Sequence, residues 1–506
     1  ISWSGTNNAL WSTNSADTFW KDASNNSVSF NTGDTVTFNG NAAVTVNSSG
    51  VTVPFMNCNP GAGETQTFTG SPINCQTLLT KSGDGTLIFT PTEGQDHNLY
   101  EINQTGGLIR ISQSATDTNN FDVLGGIRLT VAAGSVFDVG NSSYDVLRQL
   151  SGSGTVRMTN RITNTNTNST LALIPNNDIH LKNVSNSVFS GGFQGFGQVT
   201  IDSGTITFAG TNTHTGGTWI SNNATLRIAS QASLPVQTQK SLTELGVDGL
   251  PFYTNGVFEV VDLRLSREDS TTIMGTLELD DSRVTNLVLT NSIGSTRLSG
   301  AFRVTAGTNS ACTLELNGPI NLKGSFSGYN AANGGGYVIL RGTNQFQNIN
   351  GLTLDRGGRV LVSGPHCLYS DSINGYPASV NFLDVSGYAR FGLAPEATDV
   401  TLPNPINANT NSSGTNRHAA IVLSTNKISG APQILRLAGG VTGVGGLRLL
   451  SPGNGDAGDL YLASANTYQD GTRIGTGRIL VPSAGALGDG SSPVSYTHLT
   501  LPTILL

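Results

Sequence analysis

The chain has 506 residues, of which 37% are hydrophobic and only 12% charged, with 63 glycines and a formal net charge of −7. Its polarity comes from uncharged Ser, Thr, Asn and Gly, and the scarcity of Glu, Lys, Arg and Met works against helices. With 26 Lys plus Arg and no basic cluster, the composition argues against a nucleic-acid backbone or an anionic membrane surface as partner, and no apolar run reaches the ~18 residues of a membrane span.

No charged-then-apolar signal segment opens the chain, and because residue 1 is Ile the sequence is expected to be the interior of a longer protein. Cys58 and Cys75 are close enough in sequence to meet across neighbouring strands as a disulfide, or to pack separately as small apolar side chains. With Cys312 and Cys367 they make up the cysteines, none of them in a CxxC pair, so zinc is not expected. Bursts of alternating apolar residues then recur: GTLIFT (85–90), GTVRMT (154–159), GTITFAG (204–210), GTLELD (275–280), CTLELN (312–317) and GGLRLLS (445–451). A period of two means strands, and the Gly, Asn, Ser and Thr clusters between them mean turns. The chain reads as all-β. At the far end VSYTHLTLPT (494–503) looks like a translated frame of a transposon adapter from sequencing libraries, so residues 494–506 are set aside as an artefact and the protein is expected to continue beyond Pro493.

Internal repeats choose between β architectures. In ITFAGTNTHTGGTWISNNATLRIASQASL (206–234), Ile206 and Phe208 stand six and four residues before Asn212, and Ile220 follows it by eight. In LYLASANTYQDGTRIGTGRILVPSAGAL (460–487), Leu460, Leu462 and Ile474 hold the same offsets from Asn466; after a one-residue deletion Val481 and Leu487 match Ile228 and Leu234. A third copy (338–368) has Val338 and Leu340 before Asn344, two extra residues before Leu354, and then Val360, Val362 and Leu368. A looser fourth (85–112) puts Glu93 where the Asn should be. Two residues after each Asn stand His214, Phe346 and Tyr468, which share a flat ring and predict a plate packed over a turn rather than a site.

Such units cannot each bury an apolar face alone, and stacking coil on coil supplies the missing partner. The expected fold is a right-handed parallel β-helix, a β-solenoid with irregular coils, in which Asn hydrogen-bonds its own turn backbone. A β-sandwich array is the alternative.

The copies GTITFAGTNTHTGGTWISNNATL and DLYLASANTYQDGTRIGTGRIL resemble the autotransporter-associated β-strand repeat, or passenger-associated transport repeat, whose wording is close to G-x-L-x-L-x-G-x-N-T-Y-T-G-G-T-x-I-x-x-G-x-L. The opening, residues 3–46, is similar to the leader that often precedes such repeats. The resemblance implies a Trp-rich leader or cap over 1–50, in which Trp3, Trp11 and Trp20 cover the open first coil, although three ordinary core aromatics would serve as well. It implies a β-helical passenger over 51–493, with repeats near 85–112, 204–234, 337–368 and 458–488. It also implies an extracellular or bacterial cell-surface location, reached through an outer-membrane β-barrel or a sorting signal elsewhere in the parent protein.

Catalytic signatures such as GxSxG, HExxH, GxxxxGK[ST] and the EF-hand loop do not occur. Paired carboxylates would be the enzyme signal on a β-helix, but Asp280 and Asp281 are adjacent, so on a strand they would face opposite ways, and a turn after GTLELD is preferred. Asp456 and Asp459 in GNGDAGD (453–459) could bind calcium weakly, although a solvated loop reads better. His97, His180, His214, His366 and His418 show no metal-ligand spacing, and His366 beside Cys367 reads as a turn with a packed thiol rather than a thiolate and base. No catalytic, cofactor-binding or metal residue is assigned, and no cofactor is expected. The leading expectation is a non-catalytic secreted or surface-displayed stalk or adhesin whose partners are extracellular glycans or cell surfaces. A polysaccharide lyase or hydrolase and a structural cell-envelope protein are the alternatives.

Overall fold

The computed structural model describes residues 1–5, 9–92, 97–112, 126–140, 144–158, 178–182, 184–195, 198–214, 217–221, 224–235, 252–254, 257–259, 263–265, 273–291, 293–295, 301–322, 325–329, 335–346, 351–355, 357–368, 379–383, 388–408, 418–426, 428–451, 457–488 and 494–496. Among these residues there are strands, turns and short 3₁₀ turns but no α-helix. The chain divides into two compact units, Ile1–Leu263 and Arg264–Leu506.

In the first unit, Ala9–Trp11, Ala42–Val46, Thr65–Gly70, Thr86–Pro91, Leu108–Ile111, Val136–Asp138, Thr155–Met158 and Gly192–Gly195 stack as one eight-stranded parallel sheet, one rung per coil. A second parallel series runs through Val36–Asn39, Val51–Asn59, Ile73–Lys81, Glu101–Gln104, Ile127–Val131 and Tyr144–Gly152. The alternation in sequence is the cause. In Val51–Asn59 the buried residues are Val51, Val53, Met56 and Cys58, and the break in phase at Pro54–Phe55 coincides with a register shift that lets the strand bend and still bury its apolar side. Ring ladders fill the interior: Phe38 meets Phe68 at 4.8 Å and Phe68 stacks on Phe89 at 5.6 Å.

At the N-terminal end Ser2–Trp3 pairs antiparallel with Trp20–Lys21, which pairs antiparallel with Ser27–Val28. Trp3 meets Trp20 at 4.9 Å, and Trp11 packs on Trp20 and Phe38 at 5.4 Å each. Trp11 and Trp20 are buried. The indoles thus lie against the first rings of the ladder.

In the second unit a nine-stranded parallel sheet runs from Asn286–Leu289 to Val494–Tyr496 through strands that include Thr313–Leu316, Tyr337–Leu340, Arg359–Val362, Arg390–Leu393 and Gly446–Leu450. A four-stranded parallel sheet stacks Asp399–Leu402, Ile434–Leu437, Asp459–Leu462 and Arg478–Leu480. Antiparallel pairing occurs at the N-terminal corner, in the ribbon of Phe252–Thr254 with Val257–Glu259, and at the Thr425–Pro432 bridge. Ladders of parallel strands are those of a β-solenoid and not of a β-sandwich array, whose strands pair antiparallel.

The three clear sequence copies are each one coil plus its return. Within a copy the first strand lies in register beside the last: Ile206 beside Leu226 and Phe208 beside Ile228, Val338 beside Val360, and Leu460 beside Ile479. The residue number advances by 20, 22 and 19 in these pairs, so insertions enter turns while the rungs keep step. Val481, paired in sequence with the buried Ile228, is 39% exposed. Close stacking demands glycine at particular corners. Gly204 has φ +88°, and a Cβ there would sit 1.9 Å from the Val184 carbonyl oxygen of the coil below. Gly204→Ala is expected to cost about 3 kcal/mol through left-handed strain plus this clash, read as a fall in the urea midpoint.

Candidate functional site

The family-like motif contributes its most distinctive side chains to the interior. Asn212, Asn344 and Asn466 are all buried and make equivalent pairs of bonds. Each Oδ1 accepts the backbone N–H of a strand in the preceding coil: Phe193 at 2.9 Å, Ile320 at 3.2 Å and Val441 at 2.6 Å. Each Nδ2 donates to a carbonyl in the next coil, in the 3₁₀ segment that closes the copy: Ser233 at 2.5 Å, Cys367 at 3.1 Å and Ala486 at 2.5 Å. The expectation of an Asn bonded to its own turn is therefore corrected. Only Asn466 also does so, through Ser464 O, and in all three the main task is to join coils. A carboxamide suits it because one planar group holds both an acceptor and a donor.

The ring two residues on has a shared polar function too. His214 Nε2 lies 3.1 Å from Thr218 Oγ1, and Tyr468 Oη lies 2.6 Å from Thr472 Oγ1, four residues ahead in both cases. Both rings are buried. The Phe346 side chain lies outside the described set. His214 Nε2 also faces the Gly217 carbonyl at 3.1 Å, which can only accept, so Nε2 carries the proton and Nδ1 is bare. Burial holds His214 down to a pKa of about 4.

Glu93, which stands in the fourth copy where the Asn should be, lies outside the described residues. The anchoring bond is made by His97. Its Nδ1 accepts the Ile73 N–H at 3.0 Å, from the first residue of a strand in the coil below, as the asparagine Oδ1 does elsewhere. His97 is fully buried against Phe89, with ring centroids 5.2 Å apart, and its Nε2 has no hydrogen-bond partner among the described residues. Burial lowers its pKa to about 4 as well. The signal was a ring where the repeat permits an amide, displaced by an insertion that hid it from alignment.

The remaining candidates are engaged elsewhere. Asp280 accepts from Ser282 Oγ and from Arg283 Nη1 at 2.7 Å, while Asp281 Oδ2 accepts the Thr308 N–H at 2.6 Å and the Asn309 N–H at 3.1 Å. They sit in a turn after Ile273–Leu279, as the sequence suggested, and bind different partners. Asp456 lies outside the described residues, and Asp459 is held by both Nε (2.8 Å) and Nη2 (2.6 Å) of Arg478. His366 Nε2 faces Arg341 O at 3.1 Å and Cys367 Sγ donates to Leu340 O at 3.0 Å, so each is engaged with a backbone carbonyl, and both lie near the Ser363 hydroxyl, at 3.4 Å and 3.3 Å. His180 Nδ1 meets Asp202 Oδ2 at 2.9 Å on the next coil; the neighbouring hydroxyl on that rung, Thr200, accepts from Gln198 Nε2. His418, lowered mainly by burial, stands 4.0 Å from Asp470. Among the described residues no three His, Cys, Asp or Glu side chains gather as metal ligands.

Sequence reasoning missed two buried charges. Asp138 lies in register between Arg110 and Arg157, taking 3.2 Å and 3.0 Å contacts from them and the Gly140 N–H on its other oxygen. Lys81 is fully buried, with Nζ donating to the carbonyls of Ser82, Gly83 and Gly106 at 2.8–3.1 Å. Its inward position is fixed by strand alternation, and turn carbonyls replace water around the ammonium.

Cys58 and Cys75 are free thiols, as are Cys312 and Cys367. Cys58 lies beside Lys81 and Cys75 beside Val53, on opposite sides of the bend in Val51–Asn59. Burial raises the Cys58 thiol well above its ordinary range and Cys75 to about 11. A thiol reagent at pH 8 is expected to label none of the four in the native protein and all four in urea, because buried neutral thiols are poor nucleophiles.

No known protein family, characterised protein or solved structure matches the chain.

Proposed function

We propose that this chain is a non-catalytic, secreted or surface-displayed passenger of the autotransporter type, a stalk or adhesin-like scaffold that meets extracellular glycans or surfaces. The observation that carries the reading is the shared use of Asn212, Asn344 and Asn466. The motif residues that resemble the passenger-associated repeat are consumed in joining coils, so the repeat is architecture and not a set of ligand sites. Parallel coils also suit a chain that emerges through a pore and folds as it leaves, since each coil needs only its neighbour. Free buried thiols are compatible with such passage, because no disulfide-closed loop obstructs it.

The test is protease accessibility in the intact source cell. Externally added protease is expected to remove the epitopes of this chain without lysis; protection until the envelope is broken overturns the reading. Release of reducing or unsaturated sugar ends from a polysaccharide panel by the purified chain would replace the scaffold with an enzyme.

A further inference from the structure

Strand alternation places uncharged polar columns on the outside of the first unit. Thr37, Asn57, Thr80, Asn103, Thr130 and Ser151 are in register on six successive rungs. Two residues along each of the first four strands a second column follows, Asn39, Asn59, Ser82 and Thr105. Rungs lie about 4.8 Å apart and same-face neighbours about 6.7 Å apart, so the longer column runs for about 24 Å. Neither column contains a charge.

Part of the hydrogen-bonding capacity is used sideways, as in Asn59 Nδ2 to Asn39 Oδ1 at 3.2 Å and Thr130 to Ser151 at 2.9 Å. Each Asn amide nevertheless has two N–H donors and two acceptor sites, and each hydroxyl both donates and accepts, so the face retains groups directed at solvent.

A second observation lies along one side of these columns. Phe55 precedes Asn57 by two residues on the same face and is 41% exposed, although the aromatic rings among the described residues are mostly buried. Tyr100, beside Glu101, is 47% exposed, with the Arg128 guanidinium 5.3 Å from its ring centroid. Rings offer flat apolar contact to the C–H faces of a pyranose, while the polar columns match its hydroxyls. The columns carry no charge, and Glu101 and Arg128, in register beside them on the same face, are opposite and cancel, so a polyanion or a polycation would lose hydration without gaining a net counter-charge.

We infer that this face binds a single neutral polysaccharide chain laid along the coil axis, with its rings on Phe55 and Tyr100 and its hydroxyls on the Thr37–Ser151 column. The inference rests on the passenger reading for its access to such a polymer, but it is tested separately.

The full chain is incubated with particles of cellulose, mannan and β-glucan, and with immobilised polygalacturonate and heparin as charged comparators. Retention on at least one neutral polymer is expected, unaffected by 0.5 M salt, as is at least a tenfold loss of affinity in Phe55→Ala/Tyr100→Ala. Asn57→Asp/Asn103→Asp, which adds charge without touching the rings, is expected to lose affinity comparably, whereas Val288→Ala on the second unit leaves it unchanged. Far-UV circular dichroism checks that the variants fold. Lack of retention on every neutral polymer, tighter retention on the charged ones, or retention indifferent to both double variants overturns the inference. Such failure leaves the passenger reading standing, since that is decided by accessibility on the cell.

Discussion

Replacing His97 by Asn should flatten the acid limb of the stability curve. The unfolded imidazole titrates near 6.5 and the folded one near 4, so between those values the unfolded chain binds more protons and folding stability falls as pH drops. Above pH 6.5 the contribution is intact; by pH 4 about 3 kcal/mol has been lost. The physical cause is specific. Protonation would place the ring's second N–H hydrogen on Nδ1, directed at the Ile73 N–H that Nδ1 accepts, and would leave the positive charge sealed in the core. Asn offers Oδ1 at the same number of bonds from Cα as Nδ1, without a proton to gain. His97→Asn is expected to be about 1 kcal/mol less stable than the parent at pH 7, from lost contact with Phe89. Near pH 4 it should be about 2 kcal/mol more stable, with the crossover read from urea titrations at successive pH values. A variant that keeps the parent's pH slope would refute the anchor role. His214 adds a similar acid-sensitive step, and His214→Tyr, which copies Tyr468 over its threonine, should remove that one.

Asn344→Ala should cost about 4 kcal/mol. The side chain is fully buried, and truncation strands two backbone groups at once, the Ile320 N–H below and the Cys367 carbonyl above. Each buried group left without a partner costs about 1–3 kcal/mol, in addition to the void. The loss should be local. Peptide-level hydrogen exchange is expected to show faster exchange in the strands containing Ile320 and Asn344 and in the 3₁₀ turn at Pro365–Leu368, with Val36–Asn39 unaffected. Asn344→Asp should fare no better, because an oxygen would replace the donor facing a carbonyl oxygen. Stability within 1 kcal/mol of the parent would show that water or a neighbour replaces the clamp.

Much of the fold can be read in the sequence because the physics is local and periodic. Period two in GTITFAG sets which of Ile206, Thr207 and Phe208 lead the interior ladder, and the spacing of Ile206, Asn212 and Ile220 recurs in space as in sequence. Partners over a coil's length are harder to foresee. That Asn212 would bond Phe193 and Ser233 depends on how coils stack, which no window of the chain contains. His97 was hidden for a related reason, since aligning by identity looks for an amide while the structure asks only for an acceptor at a given reach. Lys81 and Asp138 are charged residues at inward positions, and they become intelligible only once turn carbonyls and flanking arginines are in place. Val481 shows the opposite limit: its sequence counterpart Ile228 is buried, but it is partly exposed.

Each anchoring asparagine touches three consecutive layers: its own, the one below and the one above. A solenoid joined only by backbone ladders would peel one turn at a time under load, with each layer's release indifferent to the next but one. A bridging amide removes that independence, since the layer on either side cannot detach without breaking a bond that also secures the other. Pulled from its ends, such a chain should yield in bursts of several turns around Asn212, Asn344 and Asn466 and give way more gradually between them, so that these three residues set where a tensile record shows its large steps.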